Sequence, residues 1–308
     1  MSKAVRKAVV FTEYGGPDVL HVAGIDVPEP AAGQVRVRIK AAGVQPVDAL
    51  FRSGAAARWL PAAFPQQLGN EFAGVIESVG PAVAGSSLGD EVIGFQPNSC
   101  YAEAVTVPAD HLAAKPAAMP WPEAGVLSAS GQTASTALED LGVGPGDTVL
   151  IHAAAGGVGT FAVQLAVAAG ATVLGTASER NHPFLRDLGA IPVTYGEGLT
   201  ERIRAAAPGG VDASLDAAGT PEAAAAALAL VADPHRIGTT VPRAAMAEPR
   251  IRSLSTRRSA QRLAALVALY EAGSLKIFID RTYRLHEAAD AHRAIETGHV
   301  RGKIAIVP

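Results

Sequence analysis

Gly156, Gly157 and Gly159 stand a few residues beyond the apolar run Val149, Leu150 and Ile151, with Ala155 and Val158 filling the spaces around them. Glycine lets a backbone come close to another group, and N–H groups converging at the start of a helix attract an anion. That combination is chemistry for a pyrophosphate. The strict G-x-G-x-x-G spacing fails at its first position, where Ala154 stands, so the surroundings must carry the reading. They do so: a buried-type strand leads into the turn, and Val158, Phe161, Ala162, Leu165 and Ala169 form one helical stripe. Gly170 then stops the helix and a second strand starts at Thr172. No Lys-Ser/Thr pair follows the glycines, which argues against a phosphate loop of the nucleoside-triphosphatase kind. A dinucleotide is the expected ligand.

About twenty residues past such a turn, an enzyme using NAD places a carboxylate on the ribose hydroxyls. Here the second strand ends in Ser178, followed by Glu179 and Arg180. A neutral donor with a guanidinium beside it suits a 2′-phosphate, which a carboxylate would repel. NADPH is therefore the expected cofactor. Glu179 keeps NADH open as the alternative, and Arg180 has the further reading of an ordinary solvated residue. His152, closing the first strand, reads as a satisfied structural histidine rather than a base.

The elements that must position these residues alternate strand and helix from Thr148 onward, with strands expected at 149–151, 172–176, 191–193 and 211–216. Helices are expected between them, at 158–169, 183–188 and 199–206, and again at 221–231, where Pro221 suits a first helical position. This succession predicts a doubly wound parallel sheet. The first third reads differently. Val35, Val37 and Ile39 alternate with Arg36, Arg38 and Lys40, and short runs at 8–11, 71–79, 91–95 and 102–107 are separated by turn residues. A β domain over residues 1–120 follows, with a nucleotide-binding domain over 121–274 and a tail, 275–308, that returns to the first domain. Within the later part a helix is expected at 259–272, then a strand at 278–283, a helix at 287–296 and a strand at 303–307.

Composition narrows the partners. The 308 residues are 49% hydrophobic and 18% charged, with a formal charge of −3, which describes folded domains without an electrostatic footprint for nucleic acid or an anionic membrane. A small-molecule partner fits better. The single cysteine, Cys100, excludes an intrachain disulfide framework and suits a reducing compartment, so the cytoplasm is expected. Neither a signal-type leader nor a long apolar span is legible.

Several stretches together resemble the zinc-independent quinone oxidoreductases of the medium-chain dehydrogenase/reductase superfamily. They are F-T-E-Y-G-G-P-D-V-L, A-A-G-V-Q-P-V-D, L-G-N-E-F-A-G-V-I-E-S-V-G, G-D-E-V-I-G-F, S-G-Q-T-A, H-A-A-A-G-G-V-G and the terminal G-H-V-R-G-K-I-A-I-V-P. The resemblance implies an α/β protein with a GroES-like β-barrel domain built from both chain ends, a Rossmann domain between them, and a cleft for the nicotinamide. It implies Thr133 near the nicotinamide, Tyr195 at the adenosine phosphate end and Lys303 approaching the cofactor from the tail. Each has a plainer alternative as a helix cap, a half-buried strand end and a solvated charge. A homodimer is also implied. Zinc-dependent relatives hold metal with a Cys near the position of Gln45 and a His-Glu pair where Asn70 and Glu71 stand here. Amides cannot replace thiolate and imidazole, so no metal is expected.

Without a Lewis acid, hydride addition to a quinone or an α,β-unsaturated carbonyl is easier than alcohol oxidation. Gln45 and Thr133 are the candidate donors to the acceptor's carbonyl, while Asp48 reads as a loop-holding acceptor. The family often carries Asn where Gln45 stands and Tyr where Leu50 stands, so the substrate is open. Phe51, Trp59, Leu60 and Phe64 suit either a pocket wall or core packing. The alternatives are an enoyl reductase of a biosynthetic pathway and a non-catalytic NADPH-binding sensor.

Overall fold

The computed structural model describes residues 4–308. Residues 1–3, which open the expected β domain, lie outside the described residues. The chain starts with an antiparallel pair, β1 (Ala4–Phe11) and β2 (His21–Val27). In β3 (Gln34–Val44) the alternation seen in the sequence puts Val35, Val37 and Ile39 inside. Its second half, Ala41 to Val44, is buried throughout because both faces are covered. A short helix, α1 (Pro46–Arg52), starts on a proline whose fixed φ suits the first turn. There follow β4 (Gln66–Gln67), β5 (Glu71–Val79), β6 (Glu91–Phe95), β7 (Ala104–Pro108), β8 (Leu112–Ala114) and α2 (Trp121–Gly125).

Next come α3 (Leu127–Asp140), β9 (Thr148–His152), α4 (Gly157–Ala168), β10 (Thr172–Ala177), α5 (His182–Asp187), β11 (Ala190–Thr194) and α6 (Leu199–Ala206). They are followed by β12 (Ala213–Asp216), α7 (Pro221–Leu230), β13 (Ile237–Thr239), α8 (Pro242–Ala247) and β14 (Arg252–Ser253). The strands form one parallel sheet in the order β11-β10-β9-β12-β13-β14, so the winding reverses between β9 and β12. The alanine-rich α7 is a helix for local reasons: Thr220 caps it by accepting from Ala223 N, and Pro221 follows. Leu150, Leu174 and Val193 from the sheet pack with Leu199, Ile203, Ala226 and Ala227 from the helices.

The remaining elements are α9 (Ala260–Glu271), β15 (Ile279–Arg284), α10 (Ala288–Glu296) and β16 (Lys303–Val307). In the β-rich unit the large sheet runs β15-β16-β3-β5-β6-β8, with β7 also on β3, and a smaller sheet runs β2-β1-β4. Thus β16 is an interior strand, parallel to β15 and antiparallel to β3. The β-rich unit comprises the described residues up to Ala129 with Ser259–Glu271 and Ile277–Pro308; the other comprises Ser130–Arg258 and Ala272–Lys276. This partition differs from the expected handover at 120/121. Gly125 in α2 is pressed against Ala41 of β3, and α9 packs on β8, so both helices go with the β sheet. Among the described residues no helix is long and apolar enough to cross a membrane.

Candidate functional site

In the parallel-sheet unit β9 ends at His152 and the chain turns through Ala153, whose φ of 53° is left-handed. That conformation costs a residue with a Cβ about 1 kcal/mol. Ala153 O accepts from Gly156 N at 2.9 Å, and Gly156 caps α4 in extended conformation with no side-chain cap. The first α-helical bond is Thr160 N to Gly156 O at 3.0 Å, which leaves the N–H groups of Gly157, Val158 and Gly159 ahead of the ladder. A Cβ on Gly159 would lie 2.2 Å from Ala153 O and 2.7 Å from Ala154 Cα, so glycine alone lets the helix start this close to the turn. Ala155 is buried beneath it, while residues 156–158 are half-buried. Convergent amides at the positive end of a helix dipole, with no side chain in the way, fit a pyrophosphate.

The register Ala177↔Thr194 brings Ser178 and Tyr195 to the carboxyl ends of neighbouring strands. Ser178 Oγ accepts from Asn181 Nδ2 at 3.3 Å, Glu179 and Arg180 are exposed, and Tyr195 is 51% exposed. Arg202, unread in the sequence, fixes the loop that carries Tyr195. Its guanidinium donates to Thr194 O at 2.9 Å, Glu197 O at 2.6 Å and Gly196 O at 2.8 Å. The only signal for it was an arginine one turn into a helix after a glycine-rich loop. Thr133 is on α3, apart from that edge in the bonding pattern, with its hydroxyl 2.7 Å from Thr256 Oγ1.

The β-rich unit gathers a second polar set. Gln45 precedes α1, and its backbone N–H donates to Asp48 Oδ2 at 2.9 Å. Asp48 also accepts from Tyr101 OH at 2.7 Å and Asn70 Nδ2 at 2.6 Å, so it holds this loop as the sequence implied. Burial pushes the Asp48 carboxyl up to about 6, against the Tyr101 and Gln45 hydrogen bonds, and Tyr101 is likewise raised by burial and by Asp48. Glu71, wholly buried, takes Gln45 Nε2 and Lys303 Nζ on Oε1, the latter at 3.1 Å, and Ala129 N on Oε2 at 2.5 Å. Gln45 and Lys303 therefore meet at one carboxylate. Lys303, expected beside the cofactor, is 2% exposed with its ammonium on Glu71. Glycine at 43 makes the room, since a Cβ there would sit 2.0 Å from Glu71 Oε1.

Below this set Arg52 pairs with Glu296 at 2.5 Å and reaches His292 Nδ1 at 3.3 Å; burial first, and Arg52 second, push His292 down to about 3. Of the apolar segment, Phe51 is core and meets Phe11 edge-on at 5.9 Å. Phe64 packs on Tyr14 and Phe11 while 44% exposed, and Trp59 and Leu60 are exposed.

Residues 31–117 match the family described as alcohol dehydrogenase GroES-like domain, and residues 188–306 the one described as zinc-binding dehydrogenase. The chain is 30% identical over 335 residues to the quinone oxidoreductase of Pseudomonas aeruginosa, covering 98% of this chain and 99% of that one. It belongs to the quinone oxidoreductase family of the medium-chain dehydrogenase/reductase superfamily. Solved structures of the family cover nearly all of this chain. The quinone oxidoreductase from Coxiella burnetii gives a TM-score of 0.88 at 33% identity, covering 99% of this chain and 100% of that one. The Escherichia coli quinone oxidoreductase complexed with NADPH gives 0.86 at 26%, covering 98% and 100%. The α/β architecture, a GroES-like domain with a Rossmann-like parallel sheet, is that of this family. Although one matched family is described as zinc-binding, the described residues of this chain contain no group of three or more His, Cys, Asp or Glu arranged to hold a metal. Cys100 is buried, its thiol 3.0 Å from Gln96 O.

Proposed function

We propose that this oxidoreductase uses NADPH, without zinc, to reduce a quinone or an α,β-unsaturated carbonyl. The observation that carries the proposal is the uncapped start of α4, pressed onto the Ala153–Ala154 turn through Gly159. When bound, the reduced nicotinamide supplies a hydride to an electrophilic carbon. The residues of the chain bind and orient. Amides of Gly157, Val158 and Gly159, set over Ala155 and Gly156, hold the pyrophosphate. Ser178 and Arg180 take the 2′-phosphate, and Tyr195, on a loop tied down by Arg202, flanks the adenosine phosphate end. Gln45 and Thr133 are the proposed donors to the acceptor's carbonyl. For Gln45 the amide nitrogen that would face the carbonyl is oriented by its hydrogen bond to Glu71. Asp48 already accepts from three donors, so the proton that completes reduction comes from solvent or a hydroxyl. Lys303 serves by neutralising Glu71 and thereby fixing the Gln45 amide.

The test follows NADPH and NADH oxidation against benzoquinones, naphthoquinones, enones and enoyl thioesters, with Arg180→Ala beside the parent. The expected result is a preference for NADPH that falls about tenfold or more in the variant, the size of one charge-assisted contact to phosphate. Preference for NADH with no effect of the variant would sink the cofactor assignment. Preference for enoyl thioesters would favour the biosynthetic reductase, and tight NADPH binding without turnover of any acceptor the sensor. Stoichiometric zinc in protein purified without added metal would overturn the metal-free reading.

A further inference from the structure

His152 is the last residue of β9, 1% exposed, and it is not the fully satisfied histidine expected from sequence: its Nε2 is buried without a hydrogen-bond partner. Strand register explains its company. Gly175↔Ile151 sets Thr176 beside His152, Asp216 pairs with His152, and Thr239 pairs with Asp216. Thr176, His152, Asp216 and Thr239 thus form a buried polar row across four strands at their carboxyl ends, and β9 and β12 are the strands between which the winding reverses. Ligands of doubly wound sheets bind just outside that point.

Each half of the row holds one of the two loops that leave it. Asp216 Oδ1 accepts from Ala218 N at 2.8 Å and Gly219 N at 2.9 Å, while Oδ2 accepts from Thr239 Oγ1 at 2.8 Å. On the other half Thr176 Oγ1 accepts from Ala153 N at 3.2 Å and lies 3.3 Å from His152 Nδ1, and Thr176 O accepts from Ala154 N at 3.0 Å. The protons can be placed by counting. If the hydroxyl donates to Nδ1, a single N–H, Nε2–H, is left over, and it lies in the field of Asp216. If Nδ1–H donates instead, both the hydroxyl proton and Nε2 are left without partners. The first arrangement strands fewer groups.

We infer that His152 is a positioning residue for the dinucleotide turn, its Nδ1 accepting a hydrogen bond from the Thr176 hydroxyl so that the hydroxyl oxygen faces Ala153 N–H and holds Ala153 left-handed. The inference rests on the dinucleotide reading given above. The ring stays neutral in this role, since burial pushes it down to about 4 against the pull of Asp216. Ala153 is where the control is needed: it is a non-glycine residue with φ of 53°, and its carbonyl receives Gly156 N–H at the entrance to α4.

The test measures NADPH affinity by fluorescence titration for the parent, Thr176→Val, Thr176→Ser and the double variant Thr176→Val with Ala153→Gly. The valine variant keeps the shape and loses the hydroxyl, and about tenfold weaker binding is expected, the worth of one organising hydrogen bond. The serine variant should bind like the parent. The double variant should regain most of the affinity, because glycine adopts the left-handed turn unaided. Separately, a long-range 15N–1H spectrum of the ligand-free parent, with His152→Gln for assignment, should show the Nε2–H tautomer. Unchanged affinity in Thr176→Val, absence of rescue, or an Nδ1–H tautomer overturns the inference while leaving the cofactor reading intact. A parent that binds neither NADPH nor NADH overturns the cofactor reading, and the positioning role with it.

Discussion

Asp48 and His152 respond to acid in opposite senses. The Asp48 carboxyl is raised from 3.8 to about 6, so between those values the folded chain binds more proton than the unfolded one, and stability falls as pH rises. His152, lowered from 6.5 to about 4, does the reverse: its contribution is complete above 6.5 and is lost as pH falls toward 4. Asp48→Asn isolates the first effect, since the amide oxygen can still accept from Tyr101 and Gln45, and a turned Asn70 amide can accept from the new NH2. Urea unfolding from pH 4 to 6 should show the variant gaining on the parent as pH rises, by up to about 3 kcal/mol. A difference independent of pH would contradict this. Gln45 and Lys303 were legible as residues of interest, whereas their meeting at Glu71 was not, because 26 positions separate Gln45 from Glu71 and sequence patterns do not report pairing across a sheet.

The glycine turn shows how a whole element depends on one missing side chain. Gly159→Ala would set a Cβ 2.2 Å from Ala153 O, and backbone on both sides cannot yield as a flexible side chain would. NADPH titration should find binding weakened by at least about a hundredfold, with a melting temperature several degrees lower. Parent-like affinity would mean that the turn does not hold the pyrophosphate. Elements with a strong period were readable: α6 spans the expected 199–206 and β16 the expected 303–307. Those without one were not. The helix α1 has only seven residues and starts on a proline in a stretch that reads as loop, and β14 has two residues paired only with β13. The exposed β2 pattern, with a single buried residue at Val27, gives no alternation to detect.

At the scale of the molecule, the β-rich unit draws on three separated stretches of chain, and the interior position of β16 makes its sheet depend on residues 303–307. A chain shortened by residues 303–308 loses the backbone partners of Ala42 to Val44 and leaves Glu71 buried without its ammonium. It should be recovered mainly as insoluble protein in a solubility assay, and a soluble shortened chain with parent-like melting would refute this. Most of the parallel sheet unit, Ser130–Arg258, is one continuous stretch. During synthesis, at about 5–20 residues per second, that unit has nearly all its strands available while β3 still waits for its last neighbour. The newborn protein thus carries an open sheet edge until translation has almost finished, and a ribosome that stalls late would release a chain primed to pair with its own kind.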